Sequence, residues 1–121
     1  MYALVVDDSA AMRHHLLRTL QSLGWEVGTA VNGANAMQVL GGLNQCDLIL
    51  TDWHMPDMDG MQLCREVRKN GRHNGVRIVM VTSDAVMGSV DQALQAGAND
   101  IIMKPFTKES LQERLATVMG G

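Results

Sequence analysis

The apolar and polar positions of the chain form two alternating patterns. Short segments are almost wholly apolar or β-branched, which is typical of strands in a parallel sheet covered on both faces. Between them, apolar residues recur at helical spacing, as Met12, Leu16 and Leu20 do, which predicts amphipathic helices. The segments predicted as strands are 3–6, 26–31, 47–51, 76–81 and 101–103. Strand and helix alternating in this order predict an α/β fold with a parallel five-stranded sheet and right-handed crossovers.

Capping residues, glycines and a proline predict where the helices begin and end. Ser9 and Thr107 precede the first and last helices and can cap them through their hydroxyl groups. Gly24 stops the first helix, and Pro56 makes the segment 55–60 a loop that leads into the third helix. In the fourth helix, the residues predicted to form the apolar stripe are Val86, Val90, Ala93 and Leu94.

Length and composition indicate one small soluble domain, which we place at residues 1–121. Of the 121 residues, 46% are apolar and 19% are charged. Cys46 and Cys64 lie in apolar patterns, so we expect both to be reduced and packed in the core. The first apolar run ends at Asp7, which leaves no export leader or membrane span and predicts a cytoplasmic protein. Because the formal net charge is −3, we expect no direct nucleic-acid or membrane partner.

One basic cluster departs from this acidic balance. It contains Arg65, Arg68, Lys69, Arg72, His73 and Arg77. Cations suit the negative end of a helix, and the neighbouring glycines mark a loop there, so a solvated helix end is the favoured interpretation. A docking patch for a partner is the alternative.

Five polar residues follow the predicted strands at the points where those strands end. They are Asp7, Asp8, Asp52, Thr82 and Lys104. The carboxyl ends of parallel strands meet at one edge of a sheet, so we expect these side chains to share one crevice. Two carboxylates about 4 Å apart repel by about 4 kcal/mol at an effective dielectric constant of about 20, so three of them need a cation. A site made of oxygen ligands favours Mg²⁺.

The Lys104-Pro105 pair allows two interpretations. An X-Pro bond can be cis at modest cost and would then turn the lysine back over the crevice. The proline can also open the last helix near its first turn, and both interpretations can hold together.

Over nearly its whole length the chain resembles the receiver domain of two-component response regulators. The motifs that carry the resemblance are Val5-Val6-Asp7-Asp8-Ser9, residues 50–60 from Leu50 to Gly60, Val81-Thr82-Ser83 and Lys104-Pro105-Phe106. The resemblance implies a flavodoxin-like (βα)5 fold with strand order 2-1-3-4-5. The chain is also similar to stand-alone chemotaxis regulators, because no output domain follows within it.

The resemblance also implies the roles of the metal site. Asp8 and Asp52 would contact Mg²⁺, with Mn²⁺ as a substitute, and Asp7 would act largely through water. The backbone carbonyl of His54 would add a further ligand. Asp52 would be the phosphoacceptor, whose carboxylate attacks phosphorus in a phosphohistidine of a histidine kinase or a histidine phosphotransfer protein. The protein would then be no enzyme, assisting only its own phosphorylation and dephosphorylation.

Phosphoryl transfer needs positioned groups that neutralise the equatorial oxygens. The ammonium of Lys104, the hydroxyl of Thr82 and backbone N–H groups at Thr82 and Ser83 suit that task. His54 and Asp84 flank the path of an attacking water, so we interpret them as residues that tune the lifetime of the phosphoryl group, with a plain surface role as the alternative.

In the resembled family, phosphorylation moves the threonine hydroxyl and turns an aromatic residue three positions before the lysine inward. This changes the face formed by the fourth helix, fifth strand and fifth helix, where a downstream protein target is expected. Ile101 occupies the aromatic position here, and its β-branched side chain has few rotamers. We therefore expect the switch at 84–89, where Ala85 and Gly88 make the segment permissive.

Other classes of protein share parts of this pattern. An aspartyl phosphatase of the haloacid dehalogenase type would place a second aspartate two residues after Asp52, where His54 stands. In a flavin carrier the first loop would cradle phosphate, which Asp7 and Asp8 would repel. A receiver module within a longer regulator and an inactive receiver used only for docking complete the alternatives.

Overall fold

The computed structural model describes residues 1–83 and 87–120, in which five strands alternate with five helices. The strands are β1 (Tyr2–Val6), β2 (Glu26–Ala30), β3 (Leu48–Asp52), β4 (Arg77–Thr82) and β5 (Asp100–Met103). The helices are α1 (Ala10–Ser22), α2 (Gly33–Gly41), α3 (Gly60–Asn70), α4 (Ser89–Ala96) and α5 (Lys108–Val118). The predicted alternation of strand and helix is therefore confirmed.

The strands form one parallel sheet of order β2-β1-β3-β4-β5, which confirms the predicted flavodoxin-like fold. Their register brings the carboxyl ends of the strands level with one another. Val6 lies opposite Thr51, Asp52 opposite Val81, and Thr82 opposite Met103. The residues that leave these strands therefore start from the same edge of the sheet.

The sheet separates two apolar cores because successive side chains of a strand point to opposite faces. In β1, Leu4 and Val6 pack into one core, which also holds Cys46 and Cys64, while Val5 packs into the other. Both cysteines are buried and free, as expected. Burial raises the pKa of each of these two thiols to about 11, so both remain protonated at neutral pH.

The helix caps follow from short polar side chains next to the helices. Ser9 caps α1 by accepting a hydrogen bond from the amide of Met12, and Thr107 caps α5 in the same way from Ser110. Both predicted caps are confirmed. Val31 was expected to end β2, but the strand ends at Ala30 and the Val31 amide donates to the Asn35 side chain at the turn into α2. No helix of the described ranges has the length and apolar character needed to cross a membrane.

The predicted stripe of α4 is only partly right. Ala93 is buried, but Val90 is 50% exposed and Leu94 is 48% exposed. The side of α4 that packs inward consists of the small residues Ser89, Ala93 and Ala96. Small side chains suit a short helix that lies close to its neighbours, and the larger ones are left to the solvent. Val86, the remaining residue of the predicted stripe, lies outside the described residues.

Arg68, Arg72, His73 and Arg77 of the basic cluster contact segments near the amino ends of the strands, opposite the edge where the acidic residues follow. These four residues donate to backbone carbonyl groups near the ends of other helices. These contacts are Arg72 to Gly41 and Leu43 after α2, His73 with Leu40 of α2, Arg68 to Gly97 after α4, and Arg77 to Val118 of α5. The interpretation made from the sequence was a solvated helix end. It is only partly right, because these four side chains bind carbonyl groups near the carboxyl ends of α2, α4 and α5, where a cation suits the helix dipole.

Candidate functional site

The structure brings the three candidate carboxylates together where β1 and β3 end. One oxygen atom from each of Asp7, Asp8 and Asp52 lies within 4.8 Å of the others. Lys104 follows β5, and its Nζ lies 3.3 Å from Asp7 Oδ2 and 3.6 Å from Asp52 Oδ1. Residues that are up to 97 positions apart in the chain therefore form one cluster.

Asp7 is the most buried of the three carboxylates, with only 1% of its surface exposed. Both of its oxygen atoms accept hydrogen bonds, because Oδ1 binds the backbone N–H of Ser9 at 2.8 Å and Oδ2 binds Lys104. Asp8 is exposed and Asp52 is half-buried. A cation that enters from solvent therefore meets the oxygen atoms of Asp8 and Asp52 first.

Burial raises the pKa of Asp52 above its ordinary value, and the negative charges of Asp7 and Asp8 add to this effect. Lys104 acts in the opposite direction and lowers the same pKa. Among the described residues, Lys104 is the one ammonium group that contacts this group of three carboxylates, so the cluster carries excess negative charge. A divalent cation held by carboxylate oxygen atoms would remove that excess, and the donor set fits a hard ion.

Thr82 ends β4 beside the carboxylate cluster. Its side chain is buried, and its carbonyl accepts a hydrogen bond of 2.8 Å from the backbone N–H of Lys104. This bond ties the end of β5 to the end of β4, so Thr82 and Lys104 are held side by side. Ser83 is exposed at the next position. Asp84, one of the two predicted tuning residues, and Ala85 of the predicted switch segment 84–89 lie outside the described residues.

The remaining predicted residues lie next to this cluster in the chain or in the core. His54 is exposed, and its ring stacks on that of Trp53 with centroids 5.9 Å apart. The Lys104–Pro105 peptide bond is cis, which confirms the first of the two interpretations of this pair. Pro105 precedes the helix rather than opening it, because Thr107 is the cap of α5. Ile101 is buried in the same core as Ala93 and Ala96 of α4.

Gly60 is a site residue that the sequence motifs included without a role. Its backbone N–H donates to the carbonyl of Trp53 at 2.8 Å, which closes the loop after β3. A Cβ atom at position 60 would lie 2.4 Å from the carbonyl oxygen of Asp52, so only glycine fits without displacing that backbone. Gly60 directly follows Asp59, the helix cap, at a position where most residue types are tolerated. The presence of glycine there was the one sign of this role in the sequence.

A second candidate surface is apolar and lies on α4 and β5. Four large side chains are exposed there: Met87, Val90, Leu94 and Met103, with exposures between 46% and 101%. Val90 and Leu94 are one helical turn apart on α4, and Met103 ends β5. Large exposed apolar residues on neighbouring elements are typical of a surface that binds another protein.

Known proteins match the chain over almost its full length. The family model described as the response regulator receiver domain matches residues 3–116. Chemotaxis protein CheY1 of Helicobacter pylori is 40% identical over 121 residues, which are 99% of this chain and 98% of that protein. Chemotaxis protein CheY of Pseudomonas aeruginosa is 36% identical over 119 residues, 98% of this chain and 95% of that protein.

Solved structures match equally well. Chemotaxis protein CheY4 of Vibrio cholerae has a TM-score of 0.91 at 32% identity, and 97% of each chain is covered. A CheY-like response regulator receiver domain protein from Methanospirillum hungatei has a TM-score of 0.88 at 29% identity, with 98% of this chain and 92% of that one covered. Fold and sequence therefore point to the same group of proteins.

Proposed function

The chain belongs to the response regulator receiver family and is a phosphorylation-dependent signalling switch of the CheY type, and we propose that Asp52 accepts the phosphoryl group. The observation that supports this role is the position of Asp52, which lies both in the carboxylate cluster and 3.6 Å from Lys104. Family membership decides against the phosphatase and flavin-carrier alternatives.

We propose Mg²⁺ as the ion of this site, with Mn²⁺ as a substitute. Asp8 and Asp52 would hold it directly, together with the backbone carbonyl of His54. Asp7 would act through water, because both of its oxygen atoms are engaged by Ser9 and Lys104. When bound, the ion neutralises the carboxylates and the incoming phosphoryl oxygens.

In the proposed reaction, a carboxylate oxygen of Asp52 attacks the phosphorus of a phosphohistidine. The new O–P bond forms as the P–N bond breaks, and the imidazole leaves with the electron pair of that bond. Lys104, which lies beside Asp52, would bind a phosphoryl oxygen, and the Thr82 hydroxyl and Ser83 N–H would bind others. Donors of this kind are a histidine kinase or a histidine phosphotransfer protein. Because the chain acts only on itself, we do not class it as an enzyme.

Phosphorylation adds about 1.5 to 2 negative charges beside the ends of β3 and β4. We propose that Thr82 and the start of α4 respond to this charge, and that the α4–β5–α5 face then binds a downstream protein. The exposed side chains of Met87, Val90, Leu94 and Met103 support that location. Ile101 is already buried, so an inward turn of this residue is not needed for the change.

The cellular location and the domain organisation of the protein remain predictions made from the sequence. We propose a cytoplasmic location, where a phosphohistidine donor would reach Asp52, and a single receiver domain as the functional unit. Direct binding of nucleic acid or membrane is not part of this proposal.

The proposed function is tested by incubation with Mg²⁺ and acetyl phosphate followed by intact mass measurement. We expect one phosphoryl adduct, located at Asp52 by peptide mapping, and none in the variant Asp52→Asn. The matched control is Asp57→Asn, which removes the same charge from an exposed residue in the same loop. An adduct that persists in Asp52→Asn would assign the phosphoacceptor to another residue.

A further inference from the structure

Arg13 contacts the acidic site from the first helix, although no predicted role includes it. Its Nη1 atom donates a hydrogen bond of 2.8 Å to the backbone carbonyl of Asp7. Arg13 is half-buried, which distinguishes it from Arg18 further along α1, which is exposed. Arg13 therefore holds the backbone of a residue whose carboxylate belongs to the cluster.

The position of Arg13 is unusual for a cation. It is the fourth residue of α1, near the helix amino end, where the helix dipole disfavours positive charge. A compensating interaction is therefore expected, and the Asp7 carbonyl supplies it. The structure thus gives a local reason for an arginine at a place that the helix alone would not favour.

The hydrogen bonds around Asp7 show what this contact controls. The Asp7 amide donates to the carbonyl of Ala30 in β2, and the Asp7 carboxylate accepts from Ser9 and Lys104. The carbonyl is thus held by Arg13 while the amide and the carboxylate have other partners. Asp8 follows directly, so the orientation of its carboxylate depends on the same short loop between β1 and α1.

We propose that Arg13 is a positioning residue for divalent-cation binding, because it fixes the loop that carries Asp7 and Asp8. This inference rests on the metal site of the proposed function. Arg13 does not touch the ion in this role. It acts through the Asp7 backbone, and a preorganised loop lowers the conformational entropy lost when the ion binds.

If Arg13 positions the loop, its removal should change the Mg²⁺ affinity in the direction opposite to that expected from loss of its charge alone. Removing a positive charge beside an acidic site strengthens cation binding by simple electrostatics. Loss of the loop contact weakens it. The direction of the change in Mg²⁺ affinity therefore separates a positioning role from a mere surface charge.

The test compares Arg13→Met with Arg18→Met, using calorimetric titration of Mg²⁺ into the metal-free protein. Methionine keeps an unbranched stem at each position and removes the donors and the charge. We expect Arg13→Met to bind Mg²⁺ about five- to tenfold more weakly, as expected for loss of one charge-assisted hydrogen bond. Arg18→Met should bind as tightly as the parent or slightly more tightly. Arg13→Lys, which keeps a charged donor, should recover part of the affinity.

A second measurement reports on the loop without any metal. Hydrogen exchange of the Ser9 amide, which donates to Asp7, should accelerate several-fold in Arg13→Met and stay unchanged in Arg18→Met. Mg²⁺ affinity in Arg13→Met equal to or above that of the parent would overturn the proposal, as would unchanged exchange at Ser9. If Arg13→Met does not fold, the same two measurements on Arg13→Lys decide, with full parental values in both counting against the proposal.

The parent protein distinguishes this failure from failure of the proposed function. If the parent neither binds Mg²⁺ nor forms an adduct at Asp52, the proposed function is wrong. If the parent does both and Arg13→Met binds the ion equally well, only the positioning role is wrong.

Discussion

The two edges of the sheet carry opposite charges and use them differently. At the amino ends of the strands, Arg68, Arg72 and Arg77 each donate to carbonyl groups at helix ends, so their charges are matched by local partners. At the carboxyl ends, Asp8 and Asp52 lie beside Asp7 with one ammonium group among them. The first arrangement stabilises the fold, whereas the second leaves excess negative charge that a divalent cation can neutralise before an anionic phosphoryl group binds.

In this fold, the contacts that stabilise the helices and the residues of the proposed phosphorylation site lie at opposite edges of the sheet. The helices of such a fold run opposite to the strands, so their carboxyl ends gather at the basic edge. Cations there interact favourably with the helix dipoles. Like charges at the acidic edge destabilise the metal-free protein and are tolerated because the two apolar cores supply the stability. Variants at the two edges should therefore give different combinations of lost stability and lost phosphorylation.

The largest effect is expected for Lys104→Met at the acidic edge. It removes the only ammonium group near Asp7 and Asp52 among the described residues. We expect phosphorylation by acetyl phosphate to slow by about 10²-fold or more, because a positioned cation is lost from the transition state. Unfolding free energy should also fall by about 2 kcal/mol, since Oδ2 of the buried Asp7 carboxylate loses its charged hydrogen-bond donor while Oδ1 keeps the Ser9 amide. Rates of adduct formation and urea unfolding measure the two effects.

Lys108→Met is the matched control for Lys104→Met. Lys108 is exposed at the start of α5, so its loss should leave both quantities nearly unchanged. Parental phosphorylation rates in Lys104→Met would contradict the assigned role.

A smaller effect on phosphorylation, with a loss of stability similar to that of Lys104→Met, is expected for Gly60→Ala. The new Cβ atom would push on the Asp52 carbonyl, which costs about 1–3 kcal/mol of stability and moves the phosphoacceptor. Phosphorylation should slow together with the loss of stability. Gly41→Ala at the end of α2 is the control, because no atom lies within 4 Å of the added Cβ. If Gly60→Ala and Gly41→Ala have the same unfolding free energy and the same phosphorylation rate, the close approach of residue 60 to Asp52 does not affect function.

At the basic edge, Arg68→Met should affect stability alone. Arg68 donates to Gly97, Asn74 and Asn99, which joins α3 to the segment after α4. We expect a loss of about 2 kcal/mol in urea unfolding, from hydrogen bonds made by a half-buried charged group. The phosphorylation rate should stay within about twofold of the parent. Arg65→Met, an exposed position on the same helix, serves as the control, and a large rate change in Arg68→Met would break the separation of the two edges.

The smallest effect is a pH-dependent gain in stability for Asp52→Asn without metal. The pKa of Asp52 is raised by burial and by its acidic neighbours, so its ionised form destabilises the folded state above that pKa. Asparagine removes this cost, and the melting temperature should rise by a few degrees at neutral pH. The difference should shrink as the pH falls through the pKa of Asp52 and the parent carboxyl becomes protonated.

Mg²⁺ should reverse the order of stability of these two proteins. At about 100 times its dissociation constant, the ion stabilises the parent by about 2.7 kcal/mol, whereas Asp52→Asn gains less. Thermal unfolding with and without Mg²⁺ measures both parts. A parent that is more stable than Asp52→Asn at neutral pH without metal would show that the carboxylates do not repel as described.

Sequence by itself was sufficient to predict the alternation of strands and helices, the caps Ser9 and Thr107, and the candidate residues at the strand ends. Those features depend on local spacing and on the geometry of parallel sheets, which bring the ends of distant strands to one edge. The motifs also led to the correct strand order through the resemblance to receivers.

Only the tertiary structure decided which contacts those residues make. The exposed positions of Val90 and Leu94 depend on how closely α4 packs, and a helical pattern cannot report that distance. Likewise, the contacts of Arg72 with α2, of Gly60 with Asp52 and of Arg13 with Asp7 depend on how neighbouring segments pack. Sequence periodicity records which side of an element is apolar, whereas distances between side chains and distant backbone atoms exist only once the whole chain has packed.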